Sequence, residues 1–213
     1  MKNKIFINNT KVRFGQRIFL PLMIFLAVGS LLLISNNWFD NRERAETEAI
    51  IYIETIAISL SGEDVLSLTA TPADEGTPAY LNLKNKLTLH KEQDDNFGSI
   101  YLFAIIDNKM YFMVDSELPS SPQYTGPGVE YTEITIEELA TYQNNQTVFE
   151  KAYIDSYGKW VSVITAITDF DTDTVVAYLG IDYHANGFYL DATYSSLLYS
   201  FLVFASYVAV LIL

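Results

Sequence analysis

Residues 101–122 read YLFAIIDNKMYFMVDSELPSSP, and this stretch decides the fold. Two runs rich in β-branched and aromatic residues, 99–107 and 109–116, are separated by the turn-forming pair Asp107-Asn108. Strands of this composition joined by a two-residue turn form β-hairpins. A loop rich in Pro, Ser and Gly follows over residues 117–128. The stretch therefore predicts two neighbouring antiparallel strands that end in a long loop.

The chain downstream continues in the same way. Thr135 and Glu138 have the spacing of a capping box and predict the start of a short helix. Three more strands are predicted, joined by turn-like segments at 156–158 and 169–173. These strands span residues 147–155, 159–168 and 174–183. Together with the hairpin they make five antiparallel strands.

Helical periodicity dominates upstream of the hairpin. An apolar stripe at three- and four-residue spacing consists of Ala49, Ile53, Ile56, Ala57 and Leu60. Ser61 with Asp64 predicts a capped short helix that ends near Thr69. Thr77 as N-cap and Pro78 at the first helical position predict another helix to about Lys91. We therefore predict an α+β fold with long N-terminal helices on one face of a five-stranded antiparallel sheet.

The charges divide the chain into regions of different character. Residues 1–17 carry five Lys or Arg and no acid, whereas residues 18–39 and 192–213 carry no charged side chain. A helix of about 20 residues crosses a hydrocarbon layer of about 30 Å. Because basic flanks tend to stay in the cytoplasm, we expect 1–17 to be a cytoplasmic tail, 18–39 and 192–213 to be transmembrane helices, and 40–191 to be an extracytoplasmic domain.

Each uncharged run has an alternative interpretation. The first could be a cleaved signal peptide, but its apolar core exceeds the usual length of about 7–15 residues and no A-x-A pattern follows it. The second could be a buried helix of a soluble domain. The sequence stops at Leu213 without the basic cluster that usually flanks a span. We expect a fragment whose effector lies beyond residue 213, although a protein that stops at the membrane would read the same way.

Composition argues against several functional classes. The chain has no cysteine, 26 acidic and 13 basic residues, and a net charge of -13. A disulfide scaffold, a thiolate metal site and a nucleic-acid partner are therefore not expected. His90 and His184 stand in unrelated contexts, and the acidic run 169–173 lacks the Gly and Glu of a calcium loop. We expect no catalytic residue, no metal, no cofactor and no enzymatic activity in this chain.

Several segments resemble a known family of sensor domains. They are LTATPADEGTPAY from Leu68, YLFAIIDNKMYFMVDSELPSSP from Tyr101, Pro127-Gly128 with Tyr131, DSYGKWVSVITAITD from Asp155 and VVAYLGIDY from Val175. Over residues 40–190 the chain resembles the extracytoplasmic PAS-like or Cache-like sensor domain of bacterial sensor histidine kinases and GGDEF diguanylate cyclases. The resemblance implies a receptor input domain between two spans of the bacterial inner membrane. It also implies a cytoplasmic kinase of a two-component system or a cyclase, which this chain lacks.

Strand alternation suggests a ligand pocket. Tyr101 and Phe103 share one face of the first strand, and Met113 and Asp115 are expected to share one face of the second. Small-molecule pockets are mostly apolar with a few polar groups. The candidate ligand-binding residues are Tyr101, Phe103, Met113, Asp115, Tyr131, Trp160 and Ser162. Alternatively, the aromatic side chains are plain core and Asp115 caps the loop at the end of its strand.

Three functions from different classes fit the sequence to different degrees. We expect an input module that binds an unidentified small ligand and shifts the packing of its sheet on the long helix. A membrane-anchored interaction module without its own effector is the alternative, and a membrane-tethered enzyme is disfavoured. The lipid bilayer is an expected partner. The stripe at Ala49, Ile53, Ile56 and Leu60 predicts either a homodimer or packing of the helix on its own sheet.

Overall fold

A computed structural model of the chain describes residues 2–60, 62–144, 146–169 and 171–212. These residues divide into two compact units. One unit combines the residues up to Glu43 with those from Asp191 onward, and the other is Arg44–Leu190.

Two helices make up the terminal unit. Helix α1 spans Lys2–Ser59 and continues into the second unit, and helix α6 spans Leu190–Ile212. Apolar side chains such as Phe25, Leu31 and Phe201 are exposed on their surfaces. Among the described residues, the segment Met23–Ser59 is long and apolar enough, by length and composition, to cross a membrane. Both predicted transmembrane helices and their orientation remain predictions.

The unit Arg44–Leu190 is built on one antiparallel sheet of six strands in the order β3-β2-β1-β6-β5-β4. The strands are β1 Phe97–Ile106, β2 Lys109–Asp115, β3 Glu130–Tyr131, β4 Val148–Ile154, β5 Lys159–Asp169 and β6 Thr174–His184. Five of them match the predicted strands, so the α+β class and the antiparallel sheet are confirmed. The predicted count of five is wrong, because the two-residue strand β3 pairs with β2 at Met110 and Tyr111. A strand of two residues has no periodicity to detect.

Local signals in the sequence position the elements as predicted. Asp107 and Asn108 both adopt positive φ, at 51° and 59°, as the type I′ turn of a two-residue hairpin requires. The Thr77 side chain accepts a hydrogen bond from the Tyr80 amide and caps α3, Pro78–Lys91. Thr135 and Glu138 form the predicted capping box of α4, Ile136–Tyr142. Two short α-helices, α2 at Gly62–Leu66 and α5 at Ala185–Phe188, and a 3-10 helix at Pro72–Asp74 also belong to the unit. The predicted cap at Ser61 lies outside the described residues.

One face of the sheet carries the main hydrophobic core. The stripe is buried there: Ala49, Ile53 and Ile56 of α1 and Leu60, which directly follows the helix, pack with Leu83 and Leu87 of α3. Their sheet partners are Ile100, Leu102, Val114, Val163, Leu179 and Ile181. A fully buried side chain of this size contributes about 1.5–3 kcal/mol. The stripe therefore packs on its own sheet, which is the second of the two interpretations, and a homodimer stays a prediction.

The opposite face carries a second cluster, which is largely aromatic. Leu139 and Tyr142 bring α4 onto this face, beside Tyr101, Phe103 and Tyr178 of the sheet. Helices therefore cover both faces of the sheet, whereas the sequence predicted helices on one face. The capping box of α4 identified the helix but contained no information on which face it would cover.

Candidate functional site

A cavity of about 570 Å³ lies on the aromatic face of the sheet. Strands β1, β2, β4, β5 and β6, together with the segments around β3 and α4, contribute to its lining. Its aromatic lining includes Tyr101, Phe112, Tyr131, Tyr142, Tyr153 and Trp160. The volume falls within the range of about 300–1,000 Å³ that is common for small-molecule sites.

A β-bulge decides which side chains of β2 face the cavity. Tyr101 pairs with Asp115 and Phe103 with Phe112, so Met113 is the extra residue of β2. A bulge of one residue inverts the alternation beyond it. Asp115 and Phe112 therefore line the cavity, whereas Met113 is 2% exposed and packs in the helix-side core. The expectation that Met113 shares a face with Asp115 is wrong for this reason.

Asp115 organises the loop that follows β2. Its carboxylate accepts hydrogen bonds from the Ser99 hydroxyl at 2.9 Å, the Glu117 amide at 2.9 Å and the Thr125 amide at 2.8 Å. Burial raises the pKa of Asp115, while the hydrogen bonds from Thr125 and Ser99 and the charges of Lys84 and Lys91 oppose that rise. The residue lines the cavity but is only 2% exposed. Asp115 therefore caps the loop at the end of β2, as the alternative interpretation of its sequence position predicts.

Asp182 of β6 places a second carboxylate in the cavity lining. Its Oδ1 accepts hydrogen bonds from the Ser162 hydroxyl and, at 3.2 Å, from the Tyr101 hydroxyl. Ser162 is completely buried, and its Oγ lies 2.9 Å from the Tyr153 hydroxyl. Burial raises the pKa of Asp182 to about 7, the neighbouring Asp155 and Glu150 add to the rise, and the two hydroxyl donors oppose it. This carboxylate can therefore change its charge near neutral pH.

Glu150 of β4 supplies a third carboxylate. The Tyr142 hydroxyl of α4 donates to its Oε1. Burial raises the pKa of Glu150, while this hydrogen bond lowers it. Like Asp182, Glu150 lines the cavity and is held by a hydroxyl group.

Asp155 fixes the turn between β4 and β5. Its Oδ1 accepts from the Gly158 amide at 2.9 Å and from the Trp160 indole at 3.1 Å. A Cβ at Gly98 would lie 2.1 Å from the Trp160 ring, so only glycine leaves room for this indole. Trp160 is 4% exposed and is therefore shielded from water. These contacts hold the indole as a wall of the cavity.

Five of the seven candidate residues predicted from the sequence line the cavity: Tyr101, Phe103, Asp115, Tyr131 and Trp160. Ser162 lies behind the lining and contacts it through Asp182, and Met113 is on the other face. Sequence reasoning missed Asp182 and Glu150. An acid at the end of the otherwise apolar strand VVAYLGIDY was the available signal for Asp182, because isolated acids are rarely placed in a core without a reason.

The described part of the lining is strongly acidic. It contains six carboxylates and one cationic side chain, that of Lys151, which is exposed. Four of the carboxylates bond to backbone amides of turns, loops or a helix start: Asp115, Glu133, Glu138 and Asp155. Asp182 and Glu150 have only hydroxyl partners among the hydrogen bonds of the described residues. The described residues include no group of three or more His, Cys, Asp or Glu that could hold a metal ion.

No protein-family model matches the chain, and neither does any curated protein. Solved structures do match. The ligand-binding domain of the Campylobacter jejuni chemoreceptor Tlp3 in complex with 4-methylisoleucine is 15% identical, with a TM-score of 0.45, over 75% of this chain and 57% of that chain. The ligand-binding domain of the Pseudomonas aeruginosa PAO1 amino acid chemoreceptor PctC in complex with GABA is 12% identical, with a TM-score of 0.47, over 74% and 64%.

The periplasmic domain of RsbU from Chlamydia trachomatis is 16% identical, with a TM-score of 0.42, over 77% of this chain and 56% of that chain. The chain spans less than two thirds of the length of each of these three structures. The three are ligand-binding or periplasmic domains. What the cavity can bind follows from its own residues.

Proposed function

We propose that residues 44–190 are the extracytoplasmic sensory module of a bacterial membrane receptor, and that the cavity binds a small organic cation. The observation that carries this proposal is the position of Asp182, a half-buried carboxylate in an aromatic cavity whose described lining has one exposed cation. A buried carboxylate is costly unless it has a partner of opposite charge. An ammonium group of a ligand would supply that partner.

The aromatic walls favour the same class of ligand. Aromatic faces attract cations through their ring quadrupole, and the interaction is stronger where water is excluded. The Tyr101 hydroxyl bonds to Asp182, the Tyr153 hydroxyl reaches Asp182 through Ser162, and Trp160 lines the same cavity. An anionic ligand would meet six carboxylates and one exposed Lys in the described lining, so its charge would be repelled. Ligand charge is therefore the property that the cavity selects.

We propose that the chain binds its ligand without transforming it. His90 lies on the helix side of the sheet, with its Nδ1 3.3 Å from the Tyr52 hydroxyl, and it does not line the cavity. The carboxylates of the lining are either fixed to turns or held by hydroxyl groups. Such fixed groups are suited to binding a ligand and not to transforming it. The effector is a kinase or a cyclase outside this chain, reached through the helix that follows β6.

The proposal can be tested by calorimetry on the full chain in detergent micelles. Butylamine and butyrate have the same carbon chain and opposite charges at neutral pH, so they isolate the effect of charge. Butylamine should bind and butyrate should not, and Asp182→Asn should weaken butylamine binding. Asp107→Asn makes the same chemical change at an exposed hairpin turn and is the matched control. Binding of butyrate in place of butylamine would overturn the proposal.

A further inference from the structure

The strand register places acids and hydroxyls in one row across the sheet. Glu150 of β4 pairs with Ser162 of β5, and Ser162 pairs with Asp182 of β6. The row continues to Ser99 of β1, which pairs with Asp182. Since neighbouring strands lie about 4.8 Å apart, the Cα atoms of Glu150 and Asp182 are separated by about 10 Å. Two carboxylates thus lie in the same cavity, two strands apart.

Both carboxylates keep one oxygen available to the cavity. The hydrogen bonds to Asp182 from Ser162 and Tyr101 all reach Oδ1, and the hydrogen bond to Glu150 from Tyr142 reaches Oε1. Within the described residues no hydrogen bond reaches Oδ2 of Asp182 or Oε2 of Glu150. The charge of Glu150 contributes to the raised pKa of Asp182, so the two groups interact electrostatically. One monovalent ligand cation would neutralise only one of them.

The surface between the two carboxylates is aromatic. Tyr101, Tyr142 and Tyr153 line the cavity, and each of them contacts one of the carboxylates or the intervening Ser162. Aromatic side chains combine a large apolar face with a polar edge. Such a surface can cover a methylene chain while its hydroxyl groups hold the carboxylates at either end. The chemistry is polar at two points and apolar between them.

We propose that the ligand is a linear diamine, with one ammonium group at Asp182 and the other at Glu150 and its methylene chain against the tyrosines. This inference rests on the proposed cation-binding function and adds the number and spacing of the charges. A diamine neutralises both carboxylates at once, so neither remains buried with a charge of its own. The second ion pair gives the diamine an advantage over a monoamine of the same length.

The test compares diaminobutane with butylamine by calorimetry on the full chain in detergent micelles, at a pH above that at which Asp182 titrates. Diaminobutane should bind at least about tenfold more tightly, which corresponds to about 1.4 kcal/mol. Glu150→Gln should lower the affinity for diaminobutane to about that for butylamine. Asp182→Asn should weaken binding of both. Glu137→Gln, at an exposed position in the first turn of α4, is the control and should leave the difference intact.

A second variant keeps the proposal testable if Glu150→Gln does not fold. Glu150→Asp keeps the charge and withdraws it by one methylene, so the preferred ligand should become diaminopentane. Equal affinities of the wild-type protein for diaminobutane and butylamine would overturn the diamine inference and leave the cation-binding function standing. Failure of every amine to bind would overturn both.

Discussion

Tyr131 and Asp155 join the two opposite edges of the sheet, with the Tyr131 hydroxyl donating to Asp155 Oδ2 at 2.9 Å. Tyr131 lies in edge strand β3, and Asp155 directly follows edge strand β4. Two further contacts connect the same segments, from the Thr125 hydroxyl to that of Tyr157 at 3.3 Å and from the Ser156 amide to the Glu133 carboxylate at 3.2 Å. The sheet therefore curls around the cavity. Side-chain hydrogen bonds, and not backbone pairing of β3 with β4, join its two edges.

Removing the Tyr131 hydroxyl should loosen this closure. Tyr131→Phe leaves the Asp155 carboxylate without one donor, and a hydrogen bond to a charged group contributes about 1.5–3 kcal/mol. We expect the free energy of unfolding to fall by about 1.5 kcal/mol, with faster amide exchange at residues 155–158. The control is Tyr111→Phe, which removes a 3.5 Å contact to Glu130 on the neighbouring strand. Equal effects of the two variants in urea unfolding and hydrogen exchange would show that the Tyr131–Asp155 hydrogen bond does not stabilise the closure of the sheet.

Asp115→Ala should destabilise the domain through the loop at 117–128. The substitution removes the acceptor for the Ser99 hydroxyl and for the amides of Glu117 and Thr125. Unsatisfied buried donors cost about 1–3 kcal/mol each, and partial relaxation of the loop reduces the sum. We expect a loss of about 3 kcal/mol in urea unfolding and faster proteolysis of the loop. Asp95→Ala, at an exposed position, should have little effect. If the stability of Asp115→Ala is unchanged, Asp115 does not stabilise the loop as its cap.

Ligand binding and stability should respond to pH in opposite directions because of Asp182. Its pKa rises from 3.8 to about 7 on folding, so the folded protein keeps a proton that the unfolded chain loses. The stability contributed by this proton is fully present below pH 3.8 and is lost as the pH rises through about 7. A bound cation favours the ionised carboxylate, so affinity should rise over the same interval.

Tetramethylammonium keeps its charge at every pH and is the suitable probe for this titration. Its affinity should rise as the pH passes through about 7 in the wild-type protein and stay flat in Asp182→Asn. Glu150 and Asp155 are the other carboxylates that act on Asp182. The control is His184→Gln, which replaces a ring that lies 5.2 Å from that of Trp160 and should leave the pH dependence unchanged. A pH dependence of the affinity that persists in Asp182→Asn would contradict its assignment to Asp182.

The proposed topology makes an independent prediction. Alkaline phosphatase fused after Tyr157 should be active, because that enzyme is active only outside the cytoplasm. A fusion after Arg17 should be inactive, since the basic tail is expected to remain in the cytoplasm. The reverse pattern of activities would contradict an extracytoplasmic position for residues 44–190.

Strong local signals made most of the sheet predictable. The pair Asp107-Asn108 and the caps at Thr77 and Thr135 act through neighbouring residues, so the sequence alone is enough to detect them. Strand β3 was missed because its two residues form a strand only by pairing with β2. The face chosen by α4 likewise depends on tertiary contacts of Leu139 and Tyr142 with distant strands.

The candidate site was predictable to the extent that strands alternate regularly. Alternation placed Tyr101 and Phe103 correctly, and it failed at Met113 because the bulge in β2 has no signature in the sequence. The row of Glu150, Ser162 and Asp182 depends on the register of three strands. Local sequence patterns do not reveal this register, because it is set by pairing between residues that are distant in the chain. The contact between Tyr131 and Asp155 depends on the curvature of the whole sheet.

The most direct test of the cation-binding claim is a crystal structure of the full chain grown with diaminobutane. The claim predicts ligand density in the cavity, with one ammonium nitrogen about 2.8 Å from a carboxylate oxygen of Asp182, the distance of a charge-assisted hydrogen bond. Density for the diamine only outside the cavity, or a cavity occupied by a molecule whose carboxylate points toward Lys151, would contradict it.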